Sequence, residues 1–187
     1  MRIGILGGSF DPIHHGHLIT AQVLQEQLGL AGVRLMPAAR QPFKPAGHLA
    51  SAEHRAAMVA LAVAGVPGLS VERIEVERGG DSWTVETLRA LRAREPGTEW
   101  VLLVGSDAAR DLSRWREAAS LPALAEIVPF SRGGTPPGAG GVATPSIAIS
   151  STAVRARVRA GLSIRYWVPE AVAEYVATHR LYRDGMT

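Results

Sequence analysis

The chain has 187 residues, 47% apolar and 20% charged, a length and composition suited to one α/β domain that buries about 70% of its unfolded surface without staples. It contains no cysteine, which excludes a disulfide scaffold and thiolate metal sites, and no run approaches the ~18 uninterrupted apolar residues of a membrane helix. Basic residues outnumber acidic ones 20 to 17, for a formal net charge of +3, but they are scattered among Glu and Asp. That balance suits phosphorylated small molecules better than a nucleic-acid-binding stripe.

The elements alternate between strand and helix. Residues 2–7 form a short apolar run ending in glycine and read as a buried parallel strand. With no signal-peptide h-region ahead of that strand, a cytoplasmic location is expected. Residues 16–28 place Leu18, Ala21, Leu24 and Leu28 near helical spacing, and residues 33–36 read as the second strand, closed by Pro37. An irregular segment spans 38–50, and Ser51 caps a helix over 52–64 with Glu53 in its first turn. In 69–77 Ile74 and Val76 alternate with charged residues, which predicts a strand near a sheet edge. A helix over 84–94 follows, then the most apolar strand, 100–104, ending in Gly105, and another over 126–130. Residues 133–145 read as a low-complexity, mobile Gly/Pro loop. The apolar run 147–149 leads into a helix over 152–160, and Pro169 opens the last helix, 170–178.

Strands separated by helices predict a Rossmann-like, doubly wound parallel sheet with helices on both faces. Residues 1–187 are expected to form a single domain on which the C-terminal helices pack. In such sheets ligands sit beyond the carboxyl ends of the strands. Those ends here carry Gly7-Gly8-Ser9, Pro37, Gly105-Ser106-Asp107 and Ser150-Ser151-Thr152.

The strongest local signal is the stretch from Gly7 through Gly8, Ser9, Phe10 and Asp11 to His14, His15, Gly16 and His17. Two glycines let a bulky group approach the backbone, and a helix start offers amides to an anion. His14 and His17 stand three apart, so one helical turn places both imidazoles on one side. Taken alone, such a pair also fits a turn with solvated histidines. The second signal is Ile149-Ser150-Ser151-Thr152-Ala153-Val154-Arg155, where Ser151 or Thr152 can cap the helix and Arg155 projects from its first turn. A hydroxyl cap beside a guanidinium makes a phosphate clamp, although an ordinary capped helix with a surface arginine reads the same way.

With these two elements the sequence resembles the nucleotidyltransferase superfamily that carries a His-x-Gly-His signature and an Ile-Ser-x-Thr-x-x-Arg element. Within it, the chain is most similar to the bacterial nicotinate-nucleotide adenylyltransferases, over nearly its full length. Arg55 and Met58 fall where that family has an Arg and a Met, and Ser82-Trp83-Thr84 resembles its Ser-Tyr-Thr element. Gly105-Ser106-Asp107 resembles its Gly-x-Asp, and Leu112 with Trp115 its Leu-x-x-Trp. Two departures stand out: the family's Pro-Pro-His-Lys reads Gln41-Pro42-Phe43-Lys44, and the aromatic residue often found after the motif tryptophan is Arg116.

The resemblance implies transfer of an adenylyl group from ATP to nicotinate mononucleotide, with Mg2+ carried on the ATP and no dedicated metal site. It implies that His14, His17, Lys44 and Arg155 serve the phosphates and the departing pyrophosphate. Gly7, Gly8, Ser9, Phe10, Gly16, Gly105, Asp107, Ile149, Ser150, Ser151 and Thr152 would complete the ATP site. Ser82, Trp83, Thr84, Trp115 and Arg132 would hold the mononucleotide. Asp107 reads equally as a ribose ligand and as a helix N-cap, and Trp115 as a stacking partner or a half-buried packing residue. Neither nucleic acid nor membrane is expected as a partner, and the sequence leaves a homo-oligomer open. The rival readings are a sister adenylyltransferase acting on phosphopantetheine, a non-catalytic nucleotide sensor and a basic nucleic-acid module.

Overall fold

The computed structural model of the chain describes residues 1–42, 47–138 and 140–183. Six strands form one all-parallel sheet: β1 (Arg2–Gly8), β2 (Gly32–Pro37), β3 (Leu69–Val71), β4 (Glu99–Gly105), β5 (Glu126–Arg132) and β6 (Val142–Thr144). Their spatial order is β3-β2-β1-β4-β5-β6, so the chain reverses its direction of travel between β1 and β4. A doubly wound sheet has its ligand crevice at that reversal, outside the carboxyl ends of the two strands. β1 pairs with β4 through Ile3 opposite Trp100 and Leu6 opposite Leu103, which leaves Gly7, Gly8 and Gly105 to form the lip of the crevice.

The period-2 alternation of strand side chains divides the core in two. On one face, Leu6, Leu35, Leu103 and Phe130 pack with α1 (His15–Gln27), α2 (Ala52–Val63), α7 (Ser151–Arg159) and α8 (Glu170–Thr178) through Leu24, Met58, Val154 and Val176. On the other face, Ile3, Ile5, Leu102 and Val104 meet Val85, Leu88 and Leu91 of α4 (Thr84–Arg94) and Leu121 of α6 (Leu121–Leu124). Two short helices, α3 (Ile74–Arg78) and α5 (Ser106–Arg110), and two 3-10 turns, Leu112–Arg114 and Ala118–Ser120, complete the described elements. Among the described residues no helix is long and apolar enough to cross a membrane.

Four local expectations are corrected. The strand expected over 69–77 stops at Val71, and Ile74–Arg78 is helical. Glu72 turns the chain: its Oε1 accepts the Ile74 N–H at 3.1 Å, and its carboxylate pairs with Arg34 and Arg94. Glu75, placed on the solvent side by the alternation, is 3% exposed. Second, the Gly/Pro segment 133–145 contains β6, where Val142 and Thr144 are buried and pair alongside Phe130 and Arg132. The run 147–149, where the sequence predicts a strand end, lies outside the sheet. Third, Ser150 rather than Ser151 or Thr152 caps α7, its Oγ accepting the Ala153 N–H at 3.1 Å. Fourth, α5 begins after Gly105, so Asp107 sits inside its first turn and does not cap it. Ser51 caps α2 as expected, accepting the His54 N–H.

Candidate active site

Two chambers open at the crevice. The larger, about 790 Å³, lies against the β1 end, the start of α1, the ends of β4 and β5, and the start of α7. The smaller, about 170 Å³, lies on the α4 side, and Gly7, Gly8, Leu103, Gly105 and Ala108 belong to the walls of both. The strand-end glycines are therefore the place where contents of the two chambers meet.

Side chains from four separate segments converge on the larger chamber. His17, Arg132, Thr152 and Arg155 line it, together with Gly7, Gly8, Ser9, Phe10, Gly105, Asp107 and Ser151. His17 Nδ1 accepts the His14 backbone N–H at 3.2 Å, which leaves its proton on Nε2 as a donor. Burial, then the neighbouring His14 imidazole and the Arg132 guanidinium, hold its pKa well below the ordinary histidine value, so at neutral pH it is an uncharged donor. Phe10 packs edge-on against His17, with ring centroids 5.0 Å apart. Phe10 has a φ of +46° and is 2% exposed, and a Cβ on Gly8 would lie 3.0–3.3 Å from its ring. Gly8 is thus needed to let this turn close over the strand end. A Cβ on Gly7 would meet only Met36, at 3.8 Å, so Gly7 leaves room for a ligand.

Arg155 donates to the Asp11 carbonyl at 2.7 Å and to Thr152 Oγ1 at 3.3 Å, and its buried Nε has no partner among the described residues. Ser151 donates to the Pro12 carbonyl at 2.8 Å, tying α7 to the motif loop. Asp107 is almost fully exposed and pairs with Arg110.

His14, Gly16, Ile149 and Ser150 do not line the chamber and support those that do. The His14 ring stacks on His17 at 3.7 Å between centroids, and desolvation, then Arg132 and His15, lower its pKa to about 4. A Cβ on Gly16 would lie 3.0 Å from His14 Nδ1, which explains a glycine between the two histidines. The backbone amides expected to receive an anion at this helix start are partly engaged within the protein. His15 N–H bonds to the Trp167 carbonyl at 3.1 Å and His17 N–H to the His14 carbonyl at 2.9 Å. The donor character of this corner therefore comes mainly from side chains.

In the smaller chamber, Ser82, Trp83, Thr84 and Trp115 come together, at the start of α4 and in the turn beyond α5. Ser82 Oγ accepts the Ala39 N–H at 2.9 Å and Trp115 is half-buried against the second core, so both residues also carry structure. Arg132, grouped with these residues in the sequence reading, instead faces the larger chamber. Lys44, with the rest of 43–46, lies outside the described residues.

Sequence reasoning missed the polar frame beneath the motif. Asp11, 2% exposed, accepts the Leu49 and Ala50 N–H groups and the Tyr182 hydroxyl at 2.8, 3.1 and 2.8 Å. Arg55, fully buried, donates to the carbonyls of Ser9, Ala39 and Ala50 at 2.8–3.2 Å. Burial lowers the Arg55 pKa and the Asp11 carboxylate opposes that shift. In the sequence, resemblance alone points to Arg55, and an acid inside the motif is the available signal for Asp11. Glu75 and Arg116, in the wall of the smaller chamber, were also not assigned.

The chain is similar to known proteins over nearly its whole length. Residues 5–157 match the family model described as cytidylyltransferase-like. A protein of Thermus thermophilus named "Probable nicotinate-nucleotide adenylyltransferase" is 45% identical, covering 98% of this chain and 100% of its own length. One of the same name from Herpetosiphon aurantiacus is 42% identical over 97% of this chain and 98% of its own. The solved structure of Plasmodium falciparum nicotinic acid mononucleotide adenylyltransferase complexed with NaAD shares the fold, with a TM-score of 0.76 over 97% of both chains at 18% identity. The walls of both chambers fall within the matched residues, and the likeness to curated relatives runs from end to end: this chain belongs to the nicotinate-nucleotide adenylyltransferase family, within the cytidylyltransferase-like group.

Proposed function

We propose that the protein transfers the adenylyl group of ATP to nicotinate mononucleotide, giving nicotinate adenine dinucleotide and pyrophosphate. The observation that carries this reading is the pair of chambers meeting at Gly7, Gly8 and Gly105, in a chain that is 45% identical end to end to a relative named for this activity. The larger chamber takes the ATP and the smaller takes the pyridine ring, so the acceptor phosphate reaches the α-phosphorus at the shared lip.

The acceptor's phosphate has a second pKa of about 6 and is mostly a dianion at neutral pH, so it attacks without a general base. One bond forms from its oxygen to the α-phosphorus, and the bond from that phosphorus to the bridging oxygen breaks, releasing pyrophosphate. The protein's work is alignment and charge stabilisation. The Nε2–H of His17 and the guanidinium of Arg155 serve the triphosphate, with Arg132 adding positive charge from the end of β5. His14 and Gly16 hold His17 in place. Lys44 is assigned by resemblance to the departing pyrophosphate.

Mg2+ would arrive on the substrate's own phosphate oxygens and keep several waters. Thr84 and the first amides of α4 suit a carboxylate, which favours nicotinate over its amide.

The test is an acceptor panel with Mg-ATP: nicotinate mononucleotide, nicotinamide mononucleotide and phosphopantetheine, read by pyrophosphate release and product mass. The expected outcome is the nicotinate dinucleotide as the dominant product. Preferential turnover of phosphopantetheine, or no product from any acceptor, overturns the assignment.

A further inference from the structure

The smaller chamber has two ionisable side chains in its wall among the described residues, Glu75 and Arg116, and they are not equivalent. Glu75 is 3% exposed and accepts the Thr87 hydroxyl at 2.8 Å, and burial pushes its carboxyl above the ordinary range, which disfavours its negative charge. Arg116 is a cation at any physiological pH. Its guanidinium carbon lies 5.3 Å from the centroid of the Trp83 ring, so the charge covers an indole that itself forms part of the chamber. The two residues come from different segments, the start of α4 and the turn after Trp115. Arg116 Nη1 also lies 3.0 Å from Glu86, in a pair whose side chains are 49% and 37% exposed. A pair that exposed is held weakly and can exchange its guanidinium with a second carboxylate. Glu86 is not part of the chamber wall, whereas Arg116 is.

We infer that Arg116 is a specificity-determining residue, its guanidinium steadied on Trp83 and drawing the ring carboxylate of an anionic pyridine mononucleotide into the smaller chamber over the neutral amide. This rests on the reading of that chamber as the acceptor site, and adds a side-chain cation to the amides at the start of α4. A guanidinium suits the task because its planar donors match a carboxylate and its face stacks on an aromatic ring. No other cationic side chain lines the chamber among the described residues.

The experiment compares kcat/KM for nicotinate and nicotinamide mononucleotides in the wild type, Arg116→Gln and Arg116→Lys. The acid-to-amide ratio is expected to fall about tenfold in the Gln variant, the scale of one charged hydrogen bond, and to be restored in part by Lys, which keeps the charge and loses the planar, stacking donors. Added salt should lower the ratio in the wild type and leave it flat in the Gln variant. An unchanged ratio in Arg116→Gln overturns the inference, as does a Lys variant that falls as far as Gln. A wild type that makes dinucleotide from neither acceptor overturns the underlying reading as well, and is recognised by the absence of product before any variant is compared.

Discussion

At the scale of single residues, burial keeps the two stacked imidazoles of the site uncharged at neutral pH. His14 is 4% exposed and its pKa is lowered to about 4, chiefly by desolvation. The unfolded chain takes up that proton near 6.5, so between 6.5 and 4 the unfolded state binds more protons than the folded one. The stabilisation from a neutral His14 is complete above pH 6.5 and is lost as pH falls toward 4, by about 2 kcal/mol at pH 5. Urea midpoints at pH 7 and pH 5 check this, and His14→Gln should lose less stability than the wild type across that interval. An identical loss in both proteins contradicts it. A triphosphate in the larger chamber would oppose that lowering, because its negative charge favours the protonated imidazole.

At the scale of elements, the motif loop is held from below by groups remote in sequence. Asp11 and Tyr182 are 171 positions apart, yet the carboxylate accepts the phenol and two amides of the 47–50 segment. Burial and the Asp11 charge push the Tyr182 phenol far above its ordinary range, so it acts purely as a donor. Tyr182→Phe is expected to cost about 1–2 kcal/mol, and Asp11→Ala about 3 kcal/mol or more because it strands buried donors near Arg55. Shifts of the urea midpoint at constant m-value measure both, and equal costs for the two variants contradict the shared-acceptor arrangement. These contacts were not legible in the sequence, since nothing local to Asp11 announces a partner at Tyr182. The 69–77 segment failed for the same kind of reason. Its apolar spacing fits a strand, but the Glu72 side chain captures a backbone amide and two arginines from other elements. β6 was hidden because a three-residue edge strand amid Gly and Pro shows too short an alternation to register.

At the scale of the molecule, the order β3-β2-β1-β4-β5-β6 follows from strands and helices that were readable one by one, as buried apolar runs and periodic helix faces. A crevice at the strand ends was legible for a physical reason: glycines and helix starts coincide there with the strand termini. The separation into two chambers was not, because it depends on which side of the β1–β4 seam each loop falls; Arg132 shows this by facing the larger chamber. The proposed reaction requires His17 to act at the reacting phosphates. Its most direct test is the single-turnover rate of dinucleotide formation by His17→Ala at saturating Mg-ATP and nicotinate mononucleotide, with the fold verified by circular dichroism. The rate is expected to drop by about 10²–10³, as for loss of one donor to a developing charge, and a decrease of less than a few-fold contradicts the assignment.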